Sequence, residues 1–305
     1  MATNAQSWTI GFLGYGEVGR ILAEDLRSQN INVCAYDIKL STNAEAELKY
    51  HAQLHKICLM HDHAALAASS DLIISAVTAS QTEVVATACA TGIRSGTFFL
   101  DLNSASPNAK QMAAIPITLA GGNYVEGAVM TSVPPYRISV PLLLGGKNAA
   151  SLNVMLNSIG FNSIVSSEKL GRASSVKMCR SVIIKGLEAM IIESFTTARA
   201  YGVENEVIAS LYETFPGIDW EKQATYFFQR VIEHGKRRSE EMAEVMRTVA
   251  DTGLTPYSAE ATFKRQQWGA ELSDAGFFGI RGSKNFARSD DWRTEADRIL
   301  KTLNR

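Results

Sequence analysis

The strongest constraint on the fold lies near the start of the chain. The β-like run WTIGFLG leads directly into Gly14-Tyr15-Gly16-Glu17-Val18-Gly19 and then into a helical stretch, EVGRILAEDLRSQ. A strand, a glycine-rich turn and a helix in that order make the first half of a crossover, so the next strand returns parallel to the first. The sequence continues that alternation. NVCAYD and KICLM read as a second and a third strand, DLIISAV (bounded by Asp71 and Thr78) as a fourth and TFFLDL as a fifth; ITLAGGNYVEGAV and SVPLLLGG add two more strand-like runs. The pattern predicts an α/β, Rossmann-type doubly wound parallel sheet. From about residue 165 only helical periodicity remains. One long helix is expected from about Ala173 to Tyr201, closed by Gly202, with others over 204–214, 218–233, 236–252, 256–272 and 289–303. The expected division is therefore a dinucleotide-binding domain over 1–166 and an all-α domain over 167–305, the latter for substrate binding and dimerisation.

Composition narrows the function classes. A chain of 305 residues with net charge −1 carries no polybasic footprint, so neither nucleic acid nor a membrane surface is expected as partner. The opening MATNAQSWT has no basic and apolar leader, no run of 18 apolar residues occurs, and the glycine motif starts too early for a preceding domain, so a cytoplasmic protein is expected. Cys34, Cys58, Cys89 and Cys179 contain no CxxC pair and read as buried free thiols in a reducing compartment. His51, His55, His61 and His63 crowd within 13 residues, and His51 and His55 are spaced i, i+4. No acidic or thiolate residue stands at matching ligand spacing, so the reading is a solvated helix and loop, with no metal expected.

The glycine motif carries the first chemistry. Gly14 permits a tight turn, Gly16 lets backbone approach a pyrophosphate, and Gly19 lets helix pack against strand; Tyr15, Glu17 and Val18 complete the turn around the helix N-terminus, whose free N–H groups hold the phosphates. Asp37 ends the next strand, 18 residues past Gly19, where a carboxylate accepts from the adenosine ribose hydroxyls and repels a 2′-phosphate. The expected cofactor is NAD in preference to NADP, the preference softened by Lys39 two residues on. Val77 and Thr78 after the fourth strand, and Asn103 and Ser104 after the fifth, fall at strand C-termini, where such a sheet holds its ligand.

The long helix carries the second. At 100° per residue, Lys177, Glu188, Ser181, Ser174 and Lys185 share an arc of about 80° on an otherwise largely apolar surface. That is the reverse of a surface helix, and it predicts a spine surrounded by protein with one polar strip. Lys185 either pairs with Glu188 or reaches a substrate. A lysine partly desolvated in an apolar site can exchange a proton with a reacting oxygen, and Ser181, one turn on, can hold a substrate hydroxyl.

These residues resemble the β-hydroxyacid dehydrogenases, the superfamily of 3-hydroxyisobutyrate and 6-phosphogluconate dehydrogenases. The resemblance spans nearly the whole chain, from GFLGYGEVG to the helical half, and its decisive match is GRASSVKMC, residues 171–179, which is similar to the family's G-x-G-x-x-x-K segment. It implies that Lys177 is the catalytic general acid/base. Three departures accompany it. Ser181 stands where the family usually keeps an asparagine. EGAVMTSVPP stands where the family reads D-x-P-V-S-G-G, leaving Met130, Thr131 and Ser132 as the backbone to hold a substrate carboxylate. The K-D-L landmark is replaced by HGKRRSEEM, in which His234, Arg237, Arg238 and Glu241 share a helical face; either the two arginines clamp a carboxylate or phosphate, with His234 and Arg238 touching substrate, or the face is a salt-bridged surface or dimer contact in which Glu241 neutralises Arg237 or Arg238. SVPP and ATFKRQQWGAELSD resemble a branch described as phosphogluconate-dehydrogenase-like. The implied activity is NAD(P)-dependent oxidation of an alcohol or hydroxyacid carbon by a homodimer. Imine reductases share the architecture but generally lack the lysine; a dinucleotide sensor without catalysis is the remaining alternative.

Overall fold

Burial on both faces explains the first strand. β1 (Thr9–Leu13) reads TIGFL and is buried at every position but its first, as befits a strand inside a parallel sheet. β2 (Asn32–Tyr36), β3 (Cys58–Leu59), β4 (Leu72–Ser75), β5 (Phe98–Asp101), β6 (Asn123–Val129), β7 (Pro141–Gly145) and β8 (Asn162–Ser167) join it in one sheet of order β3-β2-β1-β4-β5-β6-β7-β8. The helices along this part of the chain are α1 (Glu17–Ser28), α2 (Glu45–Leu54), α3 (His63–Ser69), α4 (Thr82–Ala90), α5 (Pro107–Leu119), α6 (Val133–Tyr136) and α7 (Ala149–Ser158). The strand order reverses between β1 and β4, the switch point at which such sheets bind ligands beyond their C-terminal ends. This computed structural model describes residues 5–281, 283, 286 and 289–303.

The sheet departs from the sequence reading in three places. β7 runs antiparallel to β6, because the link between them is shorter than the dozen residues a parallel crossover needs. β8 was missed: NSIVSS is mostly polar and mostly exposed, the composition of an edge strand rather than a buried one. The ITL of ITLAGG closes α5, and its strand begins only at Asn123.

α8 (Arg172–Tyr201) is followed by α9 (Glu204–Thr214), α10 (Trp220–Ala250), α11 (Tyr257–Asp274) and α12 (Trp292–Leu303), and no strand follows Ser167 among the described residues. The expected helices 218–233 and 236–252 are one, α10. Gly235 does not break it but permits close helix contact: a Cβ there would lie 2.7 Å from the Gln266 carbonyl oxygen of α11. Facing it, a Cβ on Gly269 would meet Val231 at 2.5 Å. The core of this part includes Phe195, Phe228 and Trp292, with ring centroids 5.0 and 5.9 Å from Trp292.

The chain divides into two compact units after Met178, twelve residues beyond the division expected from the change in periodicity. The first turns of α8 belong to the sheet unit because Glu126 of β6 caps them. Its carboxylate, fully buried, accepts from Ala173 N at 3.1 Å, Ser174 N at 3.3 Å and Ser174 Oγ at 2.7 Å. Two other expectations are corrected. Cys34 and Cys89 are buried, but Cys58 on β3 and Cys179 on α8 are exposed. Nor is α8 enclosed within the single chain: Val176, Ile183 and Met190, spaced by seven, are 43%, 63% and 59% exposed.

Candidate functional site

The turn after β1 is shaped by what its glycines leave out. Gly14 has φ +86°, and a Cβ there would lie 2.5 Å from the Ala76 carbonyl oxygen; a Cβ on Gly19 would lie 2.2 Å from the carbonyl oxygen of Gly14. At Gly16, the N-cap of α1, a Cβ would meet nothing within 4 Å. The turn therefore closes tightly on the protein side and leaves a bare cradle at the helix N-terminus, which suits a pyrophosphate. Glu17 and Val18 begin α1; Glu17 is exposed and Val18 packs on the core. Tyr15 is fully buried, so it lends the turn its backbone: its N–H donates to Asp37 Oδ2 at 2.7 Å. Burial also pushes its phenol well above the ordinary range.

Asp37 is placed by β2 and nearly buried, with Oδ1 accepting from Lys39 N at 2.9 Å. Two backbone N–H groups thus orient the carboxylate and leave lone pairs for ribose hydroxyls. At the other strand ends, Asn103 ties β4 to β5. Its Oδ1 accepts from Val77 N at 2.8 Å and its Nδ2 donates to Ser75 Oγ at 3.0 Å. Thr78 caps the short turn that follows and is exposed.

Beneath Asn103 lies a buried charge pair that the sequence reading missed. Lys110 Nζ stands 2.7 Å from Asp101 Oδ1 and donates to the Asp101 carbonyl at 2.8 Å, while Tyr124 Oη donates to Asp101 Oδ2 at 2.6 Å. Burial first, then the Asp101 carboxylate, drives the Tyr124 phenol upward. Asp101 Oδ1 also accepts from Asn103 N at 2.9 Å, so this cluster fixes the loop carrying Ser104. Ser104 Oγ receives Lys177 Nζ at 2.6 Å. Lys177 and Ser104, singled out separately in the sequence, are thus joined, with Glu126 setting one side of the contact and Asp101 the other.

The segment expected to hold a carboxylate lies between β6 and β7. Met130 N is taken by the Pro141 carbonyl at 3.0 Å, Thr131 is exposed, and Ser132 is the N-cap of α6. Arg137, also missed, ends this segment at φ +50° and ties it to α1, reaching Asp25 Oδ1 at 2.8 Å and Glu24 Oε2 at 2.7 Å.

In the helical unit, Ser181 is buried one turn after Lys177 and accepts from Lys185 Nζ at 3.4 Å. Lys185 does not pair with Glu188; it lies 2.9 Å from Glu241 Oε2, and Arg237 lies 2.7 Å from Glu241 Oε1. Arg238 grips Glu188 with two nitrogens, Nε at 2.9 Å, and Gln266 Nε2 adds a bond of 3.0 Å to the same carboxylate. The expected arginine clamp is therefore divided between two carboxylates of the protein. His234 is half-buried and pushed down to about 4 by burial and then by Arg230, Arg237, Arg238 and Arg281.

A family model, the NAD binding domain of 6-phosphogluconate dehydrogenase, matches residues 9–160, and a domain of unknown function, DUF1932, matches residues 198–269. A conserved hypothetical protein from Sinorhizobium meliloti is 34% identical with a TM-score of 0.74, over 97% of this chain and 96% of that one. MTH1747, a conserved protein of unknown function whose structure reveals similarity with 3-hydroxyacid dehydrogenases, is 27% identical over 87% of this chain and 99% of its own, with a TM-score of 0.66. Mycobacterium tuberculosis 3-hydroxyisobutyrate dehydrogenase, solved with L-serine, shares the fold at a TM-score of 0.73 and 16% identity, over 98% and 100% of the two chains.

Proposed function

The chain belongs to the β-hydroxyacid dehydrogenase superfamily, and from that premise we propose that it oxidises the alcohol carbon of a small hydroxyacid with a nicotinamide dinucleotide, NAD in preference to NADP. The observation that carries the reading is the contact of Lys177 Nζ with Ser104 Oγ beside the C-terminal end of β5. The bare backbone at Gly16 cradles the pyrophosphate, and Asp37 accepts from the ribose hydroxyls and disfavours a 2′-phosphate. The dinucleotide, when bound, supplies a hydride acceptor. Lys177, in its neutral form, takes the hydroxyl proton as the hydride leaves the carbinol carbon, and returns it in the reverse direction. Ser104 orients the lysine and Ser181 holds the substrate hydroxyl. Thr131 and Ser132 border the substrate carboxylate; the arginines beside His234 are not offered to substrate, since Arg237 pairs with Glu241 and Arg238 with Glu188. Lys185 is likewise bonded to the Glu241 carboxylate. Lys177 also favours alcohol chemistry over imine reduction.

The test is dinucleotide reduction against a panel of hydroxyacids and of aryl and polyol alcohols. Turnover of a hydroxyacid supports the reading, and turnover confined to imines would sink it. Asp37→Ala is expected to weaken NAD more than NADP; equal loss rejects the ribose assignment. The exposed row Val176, Ile183 and Met190 supports a homodimer in which a second copy covers α8, and sedimentation as a monomer rejects that arrangement.

A further inference from the structure

α1 and α2 bring together three donors of a kind that binds transition ions. A carboxylate oxygen of Glu24 and one ring nitrogen each of His51 and His55 lie within 4.8 Å of one another. The histidines are one helical turn apart, and the acidic partner absent from their sequence neighbourhood comes from α1, 27 residues before His51. Glu24 Oε1 lies 2.8 Å from His51 Nε2 and 3.9 Å from His55 Nε2, and the imidazole centroids are 4.5 Å apart. The three side chains are 27%, 13% and 31% exposed, open enough for an ion and water to enter.

The surroundings resemble the outer shell that metal-binding imidazoles need. His51 Nδ1 lies 2.6 Å from Tyr15 Oη, which fixes the ring with Nε2 toward Glu24. Arg137 holds Glu24 Oε2 at 2.7 Å and turns Oε1 toward the histidines. Burial raises the Glu24 carboxyl, but hydrogen bonds from His51 and Arg137 outweigh it and hold the group below its usual range, in the anionic form. Two imidazoles with one carboxylate suit zinc-type ions, whereas calcium and magnesium take oxygen shells. Tetrahedral ligands about 2.1 Å from an ion are roughly 3.4 Å apart. The His51 contact has to open, and the His55 contact to close, by about half an ångström.

We propose that Glu24, His51 and His55 bind a zinc-type divalent ion completed by water, and that the ion tightens dinucleotide binding through Tyr15. The link is short. The Tyr15 hydroxyl meets His51, and its backbone N–H holds Asp37 within the glycine turn. An ion on His51 therefore rigidifies the residue on which both turn and carboxylate depend. The ion site stands independently of the reaction assigned to Lys177.

Zinc titration of the full-length protein against a chromogenic chelator tests the site, with cobalt absorption reporting the ligand type. Wild type and His61→Ala, whose imidazole is 81% exposed, are expected to take one ion per chain with nitrogen and oxygen ligation. His55→Ala and Glu24→Gln are each expected to weaken binding by about tenfold or more. No stoichiometric binding, binding that survives both substitutions, or a thiolate charge-transfer band would overturn the site. For the coupling, zinc is expected to tighten dinucleotide Kd by about fivefold in wild type and to leave His55→Ala unchanged. An unchanged Kd in the zinc-loaded wild type overturns the coupling.

Discussion

Lys177 and Lys185 stand eight residues apart on the same helix, yet their surroundings differ. Lys177 donates to the hydroxyl of Ser104, at the end of the sheet where strand C-termini gather. Lys185 lies against the Glu241 carboxylate, next to a second buried pair formed by Glu188 and Arg238. A nearly buried carboxylate at 2.9 Å holds the Lys185 side chain within the helical unit. The Ser104 hydroxyl stands just beyond the C-terminal end of β5, the part of such a sheet at which ligands bind. Helical spacing makes the two lysines look alike; Ser104 beside the one and Glu241 beside the other come from distant parts of the chain.

The largest expected effect breaks the structural side of this comparison. Arg238→Met leaves Glu188 buried with its main counter-ion gone, and denaturant unfolding should report a loss of about 3–5 kcal/mol. A loss near zero would mean that the pair does not fix the helical unit. Lys185→Met should cost less, about 1–2 kcal/mol, because Arg237 still holds Glu241, and dinucleotide affinity should not change. If Lys185→Met instead spares stability and abolishes turnover, the two lysines have been assigned the wrong way round.

Glu126→Gln sharpens the other side. It weakens the cap of α8 by about 1 kcal/mol and loosens the helix end that carries Lys177, so kcat should fall more than dinucleotide affinity. Unaltered turnover would show that the cap does not position the lysine. A further test concerns pH. His234 has a folded-state value of about 4 against an ordinary 6.5, so the unfolded chain binds the proton more readily. Stability is fully present above 6.5 and is lost as pH falls toward 4. His234→Gln should flatten that part of the stability profile; an unchanged slope rejects the assignment.

What the sequence made legible follows the range of the forces involved. The Gly14–Gly19 turn is local, because the Cβ atoms missing at Gly14 and Gly19 would strike backbone just beyond β4 and within the same turn, so the motif sufficed. α9 matched its expected range because its pattern is uninterrupted, whereas Gly235 read as a break although it serves contact with α11. Lys185 and Glu188 looked like partners at short spacing, but each is claimed by α10, about fifty residues on. Glu126 did carry a signal, a charge inside the apolar strand NYVEGAV, yet nothing nearby named the helix end it caps. Glu24 and His51 meet only after α1 and α2 have packed.

The central claim is that Lys177 handles the proton while the glycine turn and Asp37 hold the dinucleotide. Lys177→Ala, assayed for dinucleotide affinity and for turnover of the best hydroxyacid in the panel, separates those two tasks. Affinity is expected within a few-fold of wild type and kcat lower by about 10²- to 10⁴-fold. A Lys177→Ala protein that keeps most of its kcat would contradict it.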